Sequence, residues 1–168
     1  MRTAPDKILA IEQHFAVGIQ SFESRVSLQR IVYLTQALGV RMGYRYSWYL
    51  HGPYSPELTS DTYELQNTEK RVRLDQAFTE GEQKSLERLS KAIRDLSNES
   101  DVLSLDWLEA LASLHWIGNK WNWNEGFACR EFRKRKPDLQ ARYDTALQTL
   151  KDLGVWPDRP PYVGKMRV

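Results

Sequence analysis

The clearest pattern of hydrophobic and polar positions lies in the first half of the chain. Apolar side chains recur at three-and-four spacing over residues 28–38, which is typical of one buried helix face. Gly39 follows the last periodic position and suits the left-handed end of a helix. Apolar and polar positions then alternate over residues 44–50, which predicts an extended strand. A second, shorter alternation over residues 71–74 predicts the partner strand of a small ribbon.

Between these two predicted strands lie a turn and another helix. Gly52 tolerates unusual backbone dihedrals, and Pro53 fixes φ and removes a backbone donor. Ser55 is a good N-cap, and Pro56 fits the first helical position after it. The order of helix, strand, turn, helix and strand is compatible with a winged-helix-like N-terminal half. It is equally compatible with a helical domain that carries a two-stranded ribbon.

The remaining amphipathic segments predict further helices. Thr79 and Glu82 form a capping box at the start of one of them. The segment 104–117 is apolar on nearly all sides, so we expect the most buried helix there. We therefore predict a mainly α fold with about six helices and a small two-stranded β-ribbon. Residues 1–154 are expected to form a single globular domain, and residues 155–168 an extended C-terminal arm. The other predicted helices cover residues 8–15, 56–65, 124–135 and 138–154.

Composition is that of an ordinary globular protein. The 168 residues suffice for one domain with a real core, and 41% of them are hydrophobic. The net charge is only +2, so no strong field attracts nucleic acid or membrane surfaces. Cys129 is the one cysteine, which excludes an internal disulfide and suits a reducing compartment. The sequence shows no signal-type apolar region and no run of transmembrane length, so we expect a cytoplasmic protein that does not bind membranes.

No set of residues forces an enzymatic interpretation. His51 lies in the turn near Ser55, and such a pair can act as base and nucleophile. Ser55 is better explained as an N-cap, however, and no orienting acid follows at a recognisable spacing. His115 lies on the apolar helix, where a hydrogen-bonded core residue is expected. Neither metal-ligand spacing nor a Gly-rich phosphate loop is present. We expect no catalytic residues, no metal and no cofactor, and a hydrolase using His51 is a third alternative.

Aromatic side chains are the first candidates for binding a macromolecule. They crowd the predicted strand and turn, and two tryptophans lie in a loop between asparagines. Large apolar residues on a loop often mark a binding site, although they also pack back onto the body. The candidate partner-binding residues are Tyr46, Trp48, Tyr49, His51, Tyr54, Trp121 and Trp123.

Basic side chains are the second candidates. They flank the first predicted strand, occupy the second and cluster before Pro137, where they could contact phosphates in a winged-helix protein. The helix after Ser55 carries acidic residues, and phosphate repels an acidic face, so this helix is a poor recognition helix. The candidate nucleic-acid-binding residues are Arg41, Arg45, Lys70, Arg71, Arg73, Arg130, Arg133 and Lys134.

Two stretches also resemble a known family. The sequence LQRIVYL at residues 28–34, followed by YLHGPYSPEL at residues 49–58, is similar to the YwgA-type family of small bacterial proteins. That family is in turn similar to the Panacea (SocA-like) antitoxin domain. The likeness extends to LEALASLHW at residues 108–116 and to KPD at residues 136–138. It implies a regulator or toxin-neutralising module without an assigned active site.

We therefore predict a non-enzymatic interaction module, a regulator or antitoxin-like protein that acts in a bacterial or phage defence or stress context. Its aromatic surface would occlude a protein partner such as a toxin or a defence protein. The alternative is a winged-helix-like, DNA-binding transcriptional regulator. The sequence leaves the identity of the partner and the oligomeric state open.

Overall fold

A computed structural model describes residues 4–50, 52–97 and 104–157. Within them the fold is mainly α with one two-stranded antiparallel ribbon, which confirms the predicted class. The described residues form eight α-helices, more than the number predicted. The strands are β1 (Ser47–Tyr49) and β2 (Gly52–Tyr54). The helices are α1 (Ala4–Phe15), α2 (Phe22–Ala37), α3 (Pro56–Leu65), α4 (Leu74–Ala77), α5 (Glu80–Leu96), α6 (Leu105–Lys120), α7 (Glu125–Arg135) and α8 (Tyr143–Asp152), with a 3₁₀ helix, Pro137–Arg142, before α8.

Side-chain caps fix where most of these helices begin. The predicted N-caps Ser55, Thr79 and Asn124 each accept a hydrogen bond from a backbone N–H of their own helix. Thr79 and Glu82 complete the predicted capping box. Helix α2 begins earlier than its apolar pattern does, because Ser21 accepts a bond from the Ser24 N–H at 3.1 Å. The extra first turn of α2 carries Phe22 and Arg25.

The ribbon differs from the one predicted. Strand β1 pairs with β2 in antiparallel fashion, with Ser47 opposite Tyr54 and Tyr49 opposite Gly52. The predicted turn residues therefore form the second strand. Residues 71–74 do not form a strand, so that prediction was wrong, and the winged-helix-like arrangement is not confirmed. Their alternation reflects burial alone, since Val72 is buried between two exposed arginines before α4 begins.

Three glutamine amides stabilise the segments that lack a strand neighbour. Gln29 accepts from the Ser55 N–H at 3.0 Å and donates to the Ser55 carbonyl at 2.9 Å. Gln36 binds both backbone groups of Tyr44 in the same way, at 2.9 and 3.0 Å. Gln13, in the amide orientation that satisfies both groups, binds Val72 at 3.1 and 3.3 Å. Each amide thus replaces the hydrogen bonds that a paired strand would supply.

Helix α6 was expected to be the most buried helix, and α2 has as many buried residues. Helix α6 packs against α2, α7, α8 and the ribbon, and nine of its residues are buried. Trp156, just beyond α8, is also buried and covers α6 at Gly118, where no side chain intervenes. The predicted arm therefore starts as a packed segment, and residues 158–168 lie outside the described residues. No helix of the described residues is long and apolar enough to cross a membrane.

Candidate partner-binding groove

A groove with a volume of about 230 Å³ opens between the start of α2, the ribbon and α3. Its walls are aromatic rings that remain largely exposed: Phe22 at 66%, Tyr49 at 57% and Tyr63 at 54%. The Tyr54 ring lies beside Tyr49, with their centroids 5.4 Å apart. We call this site the aromatic groove. Its full lining is Phe22, Arg25, Val26, Gln29, Arg30, Tyr49, Gly52, Pro53, Tyr54, Thr59 and Tyr63.

The floor of the aromatic groove is held by a chain of hydrogen bonds. The Gln29 amide donates to the Ser55 carbonyl and to Thr59 Oγ1, both at 2.9 Å. Thr59 Oγ1 also lies 3.0 Å from the Tyr54 hydroxyl. Because Ser55 Oγ caps α3 through the Leu58 N–H, the same residue joins the floor to the helix. The groove is therefore built on fixed backbone, which lowers the ordering cost of binding.

Gly52 sets how closely the ribbon approaches α6. Its φ is +114°, a value that side chains with a Cβ rarely adopt. A Cβ at this position would lie 2.9 Å from Ser113 Oγ, which is closer than real contacts allow. Ser113 is fully buried, and its hydroxyl has no hydrogen-bond partner in the described part of the chain. Glycine is thus required for the ribbon to rest on α6 beside the groove.

Two arginines reach the groove from α2. Arg25 donates through Nη1 to the carbonyls of Ile19 and Gln20, at 3.3 and 3.1 Å. Its guanidinium carbon lies 4.9 Å from the centre of the Tyr63 ring, within the range of a cation–π contact. Arg30 is buried and pairs with Glu109 at 3.3 Å. Burial lowers the pKa of the Arg30 guanidinium, while the carboxylate of Glu109 opposes that change.

The predicted aromatic residues on the ribbon divide between the groove and the body. Tyr49 and Tyr54 line the groove. Tyr46 is half-buried and its hydroxyl donates to the Gln29 carbonyl at 3.3 Å, so it supports the floor from behind. Trp48 is half-buried with the Arg135 guanidinium 5.0 Å from its ring centre. His51 lies outside the described residues.

The two loop tryptophans point in different directions. Trp121 is 39% exposed and stacks on Phe127 with centroids 5.5 Å apart. Trp123 is half-buried between His115 and Trp156, at 5.1 and 5.3 Å. The backbone makes this possible through a positive φ at Trp123, +61°, which is rare for a bulky residue. Trp121 therefore keeps an exposed surface, whereas Trp123 packs against the core.

His115 is the hydrogen-bonded core residue that was expected. Its Nδ1 lies 2.8 Å from the Tyr33 hydroxyl, and both side chains are buried. Burial lowers the pKa of His115 to about 4, so the ring is neutral at physiological pH. Burial also raises the pKa of the Tyr33 hydroxyl above its usual range. Within the described chain, no group of three His, Cys, Asp or Glu side chains converges as a metal site would require.

The candidate nucleic-acid-binding residues lie on separate elements. Lys70 and Arg73 belong to the segment beside α1 and pair with Asp6 at 2.6 Å and with Asp75 at 3.0 Å. Arg130 lies on α7 with its guanidinium 4.6 Å from the centre of the Phe127 ring. No wing carries Lys70, Arg71 and Arg73, since these residues precede α4 in irregular backbone. The others, Arg41, Arg45, Arg71, Arg133 and Lys134, are exposed.

Sequence reasoning did not name Phe22, Arg25 and Tyr63 as candidates, although all three line the groove. Phe22 belongs to the first turn of α2, which lies before the apolar periodicity begins. Arg25 lies in the same turn and carried no distinguishing pattern. Tyr63 had a usable signal, because Leu58, Thr62 and Leu65 define the inward face of α3 and leave Tyr63 on the outward one. An aromatic ring on a polar helix face is a recognisable sign of a contact surface.

Comparison of the chain with family models, with curated proteins and with solved structures finds no match in any of the three. The resemblance to the YwgA-type family and to the Panacea (SocA-like) domain stays a prediction.

Proposed function

We propose that this protein is a non-enzymatic interaction module that binds a partner protein in the aromatic groove. The single observation that supports this most strongly is the set of exposed wall rings, Phe22, Tyr49 and Tyr63, around a preformed floor. Exposed aromatic residues are enriched at the centre of protein interfaces, where they supply most of the binding energy. A regulatory or antitoxin-like role rests on the family resemblance.

The size of the groove favours a protein partner over a small-molecule substrate. Pockets that enclose small ligands usually measure about 300–1,000 Å³. At about 230 Å³, the aromatic groove has room for one or two side chains. A partner would insert an apolar anchor between the wall rings, while the rest of its surface lies over the ribbon and α3. The partner's own hydrophobic patch would thereby be occluded.

The test is to capture a partner from the native host, purify it and measure its affinity for matched variants by titration calorimetry. Tyr49→Ala and Tyr63→Ala each remove a wall ring, and we expect each to weaken binding by about thirtyfold, the effect of losing an interface hot spot. The matched control is Phe127→Ala, because Phe127 is also an exposed aromatic residue but does not line the groove. It should leave the affinity unchanged.

The proposal would be contradicted if all three variants bound the purified partner as tightly as the wild type does. So would a loss of binding with Phe127→Ala alone, which would place the contact at the Trp121 stack. Binding of duplex DNA that weakens steeply with salt, and that is lost when Arg71→Ala and Arg73→Ala are combined, would support the transcriptional-regulator alternative.

A further inference from the structure

We infer that the aromatic groove selects a partner segment in which a carboxylate follows closely on an apolar anchor, and that Arg25 receives this carboxylate. The inference rests on the proposed function and names the chemistry of the partner. The apolar anchor occupies the space between the wall rings. The acidic group pairs with the guanidinium at the α2 side of the groove.

Arg25 offers a fixed hydrogen-bonding edge. Both of its hydrogen bonds to backbone carbonyls use Nη1, which holds the guanidinium in place. Among the described residues, Nε and Nη2 have no hydrogen-bond partner, and no carboxylate forms an ion pair with Arg25. These two nitrogens form one fork of parallel N–H donors, the arrangement that binds a carboxylate in bidentate fashion. Arg73 uses the same two atoms to hold Asp75, with both distances at 3.0 Å.

The charge around the groove also favours an anion. Its described lining contains two arginines, Arg25 and Arg30, and neither aspartate nor glutamate. Behind the floor, Glu109 is shared between two cations, Arg30 at 3.3 Å and Lys136 at 2.5 Å. Asp106 also acts on Arg30, so the lining cation that remains to receive a partner carboxylate is Arg25. When a partner covers the apolar walls and displaces water, charge interactions beside them become stronger than on an open surface.

A basic or neutral segment fits this environment less well. A lysine or arginine beside the anchor would approach Arg25 with like charge and lose its hydration. A neutral segment would bury the guanidinium edge without a hydrogen-bond acceptor of matching charge. An acidic segment satisfies the fork and balances the local charge, so specificity arises from electrostatic complementarity added to apolar burial.

The experiment is to pan a random peptide display library against the full chain and, in parallel, against Tyr63→Ala. Peptides enriched on the wild-type protein alone depend on the groove. We expect these peptides to carry Asp or Glu within one or two positions of Phe, Trp, Tyr or Leu. The strongest of them is synthesised with its acid intact, with the acid changed to the matching amide, and with the acid changed to Lys. Each peptide is then titrated by fluorescence anisotropy.

We expect the amide peptide to bind wild-type protein about tenfold more weakly than the acidic peptide, the effect of losing one charge-assisted pair. Arg25→Glu should weaken the acidic peptide by at least that factor and should restore binding of the Lys peptide. The matched control is Arg41→Glu, because Arg41 is exposed and lies outside the groove lining. It should bind all three peptides as the wild type does.

Two outcomes would overturn the inference, and they have different consequences for the proposed function. Groove-dependent peptides with no acidic preference, and with equal affinity for wild type and Arg25→Glu, would reject the carboxylate but keep the groove as a docking site. A library that yields no peptide sensitive to Tyr63→Ala would reject both proposals. The comparison of acid with amide uses only wild-type protein, so it decides the question even if Arg25→Glu fails to fold.

Discussion

At the scale of single residues, buried backbone groups are satisfied by side chains in places where no strand is available. Gln29, Gln36 and Gln13 each bind the N–H and the carbonyl of one residue in an irregular segment. A glutamine amide can do this because it carries a donor and an acceptor side by side, as a peptide group does. An unsatisfied buried group costs about 1–3 kcal/mol, so each of these residues contributes more than its own packing.

Gln29→Leu is expected to lower the free energy of unfolding by about 1–3 kcal/mol, because it leaves the N–H of buried Ser55 without a partner, while the Ser55 carbonyl still accepts from the Thr59 N–H. Gln36→Leu should cost less, since the backbone of Tyr44 is closer to solvent. Urea denaturation of both variants measures the difference. Equal costs would show that burial of the bound residue does not decide the effect.

The neutral, buried ring of His115 predicts a loss of stability in acid. Its pKa is about 4 in the folded protein and about 6.5 in an unfolded chain, so the unfolded state binds the proton more tightly. The contribution is complete above pH ~6.5 and falls as the pH drops toward about 4, by on the order of 3 kcal/mol in total.

Chemical denaturation at a series of pH values, on wild type and on His115→Gln, isolates this effect. Glutamine can still accept the Tyr33 hydroxyl bond but does not titrate. The difference in unfolding free energy between the two proteins should change over this pH range, while contributions from other groups, such as His14, cancel. Parallel curves would mean that His115 has the same pKa in the folded and unfolded states.

At the scale of elements, α6 and the segment after α8 are in close contact at Gly118. Gly118 carries no side chain where the Trp156 ring crosses the helix, and Trp123 lies on the same spot. Glycine lowers helix propensity, so its presence inside α6 is explained by packing rather than by local preference. The ring thereby closes one side of the core.

Gly118→Ala is expected to destabilise the protein by about 1–3 kcal/mol, because the added methyl group collides with the Trp156 ring and forces a shift. The matched control is Gly81→Ala in α5, where an added Cβ meets no atom within 4 Å. That variant should be neutral or more stable by up to about 1 kcal/mol. Thermal unfolding of both variants makes the comparison, and a destabilised Gly81→Ala with an unaffected Gly118→Ala would contradict it.

Helices with a cap and a period could be predicted, as could a small ribbon with its first strand near residues 44–50, but the partner strand could not. Ser55, Thr79 and Asn124 mark helix starts by local chemistry, so the sequence indicates them directly. The alternation at residues 71–74 produces the same burial pattern as a strand. The backbone of Val72 in this segment, however, bonds to the side-chain amide of Gln13 on α1 and not to a neighbouring strand. Short α4 and the 3₁₀ helix before α8 leave too few turns for periodicity to detect.

At the scale of the whole molecule, a buried ion network joins parts that are far apart in sequence. Glu109 on α6 binds Arg30 on α2 and Lys136 at the end of α7. The carboxylate has both cations within hydrogen-bonding reach, and Arg30 also donates to the Leu105 carbonyl at 3.3 Å. The network links the groove floor to the C-terminal helices, a connection that depends on the tertiary fold and has no local signature.

Glu109→Gln is expected to cost about 3–5 kcal/mol, because it leaves two buried cations without their shared carboxylate. Lys136→Met should cost less, since Glu109 keeps its pair with Arg30. Guanidinium chloride is unsuitable because it screens charge, so urea denaturation is the measurement. A larger cost for Lys136→Met would show that the carboxylate is not the centre of the network.

The candidate site was predicted in part. The crowding of aromatic residues indicated Tyr49 and Tyr54, which do line the groove. Phe22, Arg25 and Tyr63 come from two other helices and converge only through the packing of α2 against α3. Spacing along one chain cannot show which outward faces will meet.

The separation between the rings that form the groove and the residues that hold it has a consequence for protein engineering. Phe22, Tyr49 and Tyr63 are exposed, whereas Gln29, Ser55 and Gly52 fix the backbone from beneath. A combinatorial library that randomises the three rings alone should retain the fold in most of its members. The chain would then serve as a small scaffold whose recognition can be reprogrammed for new targets without redesigning its core.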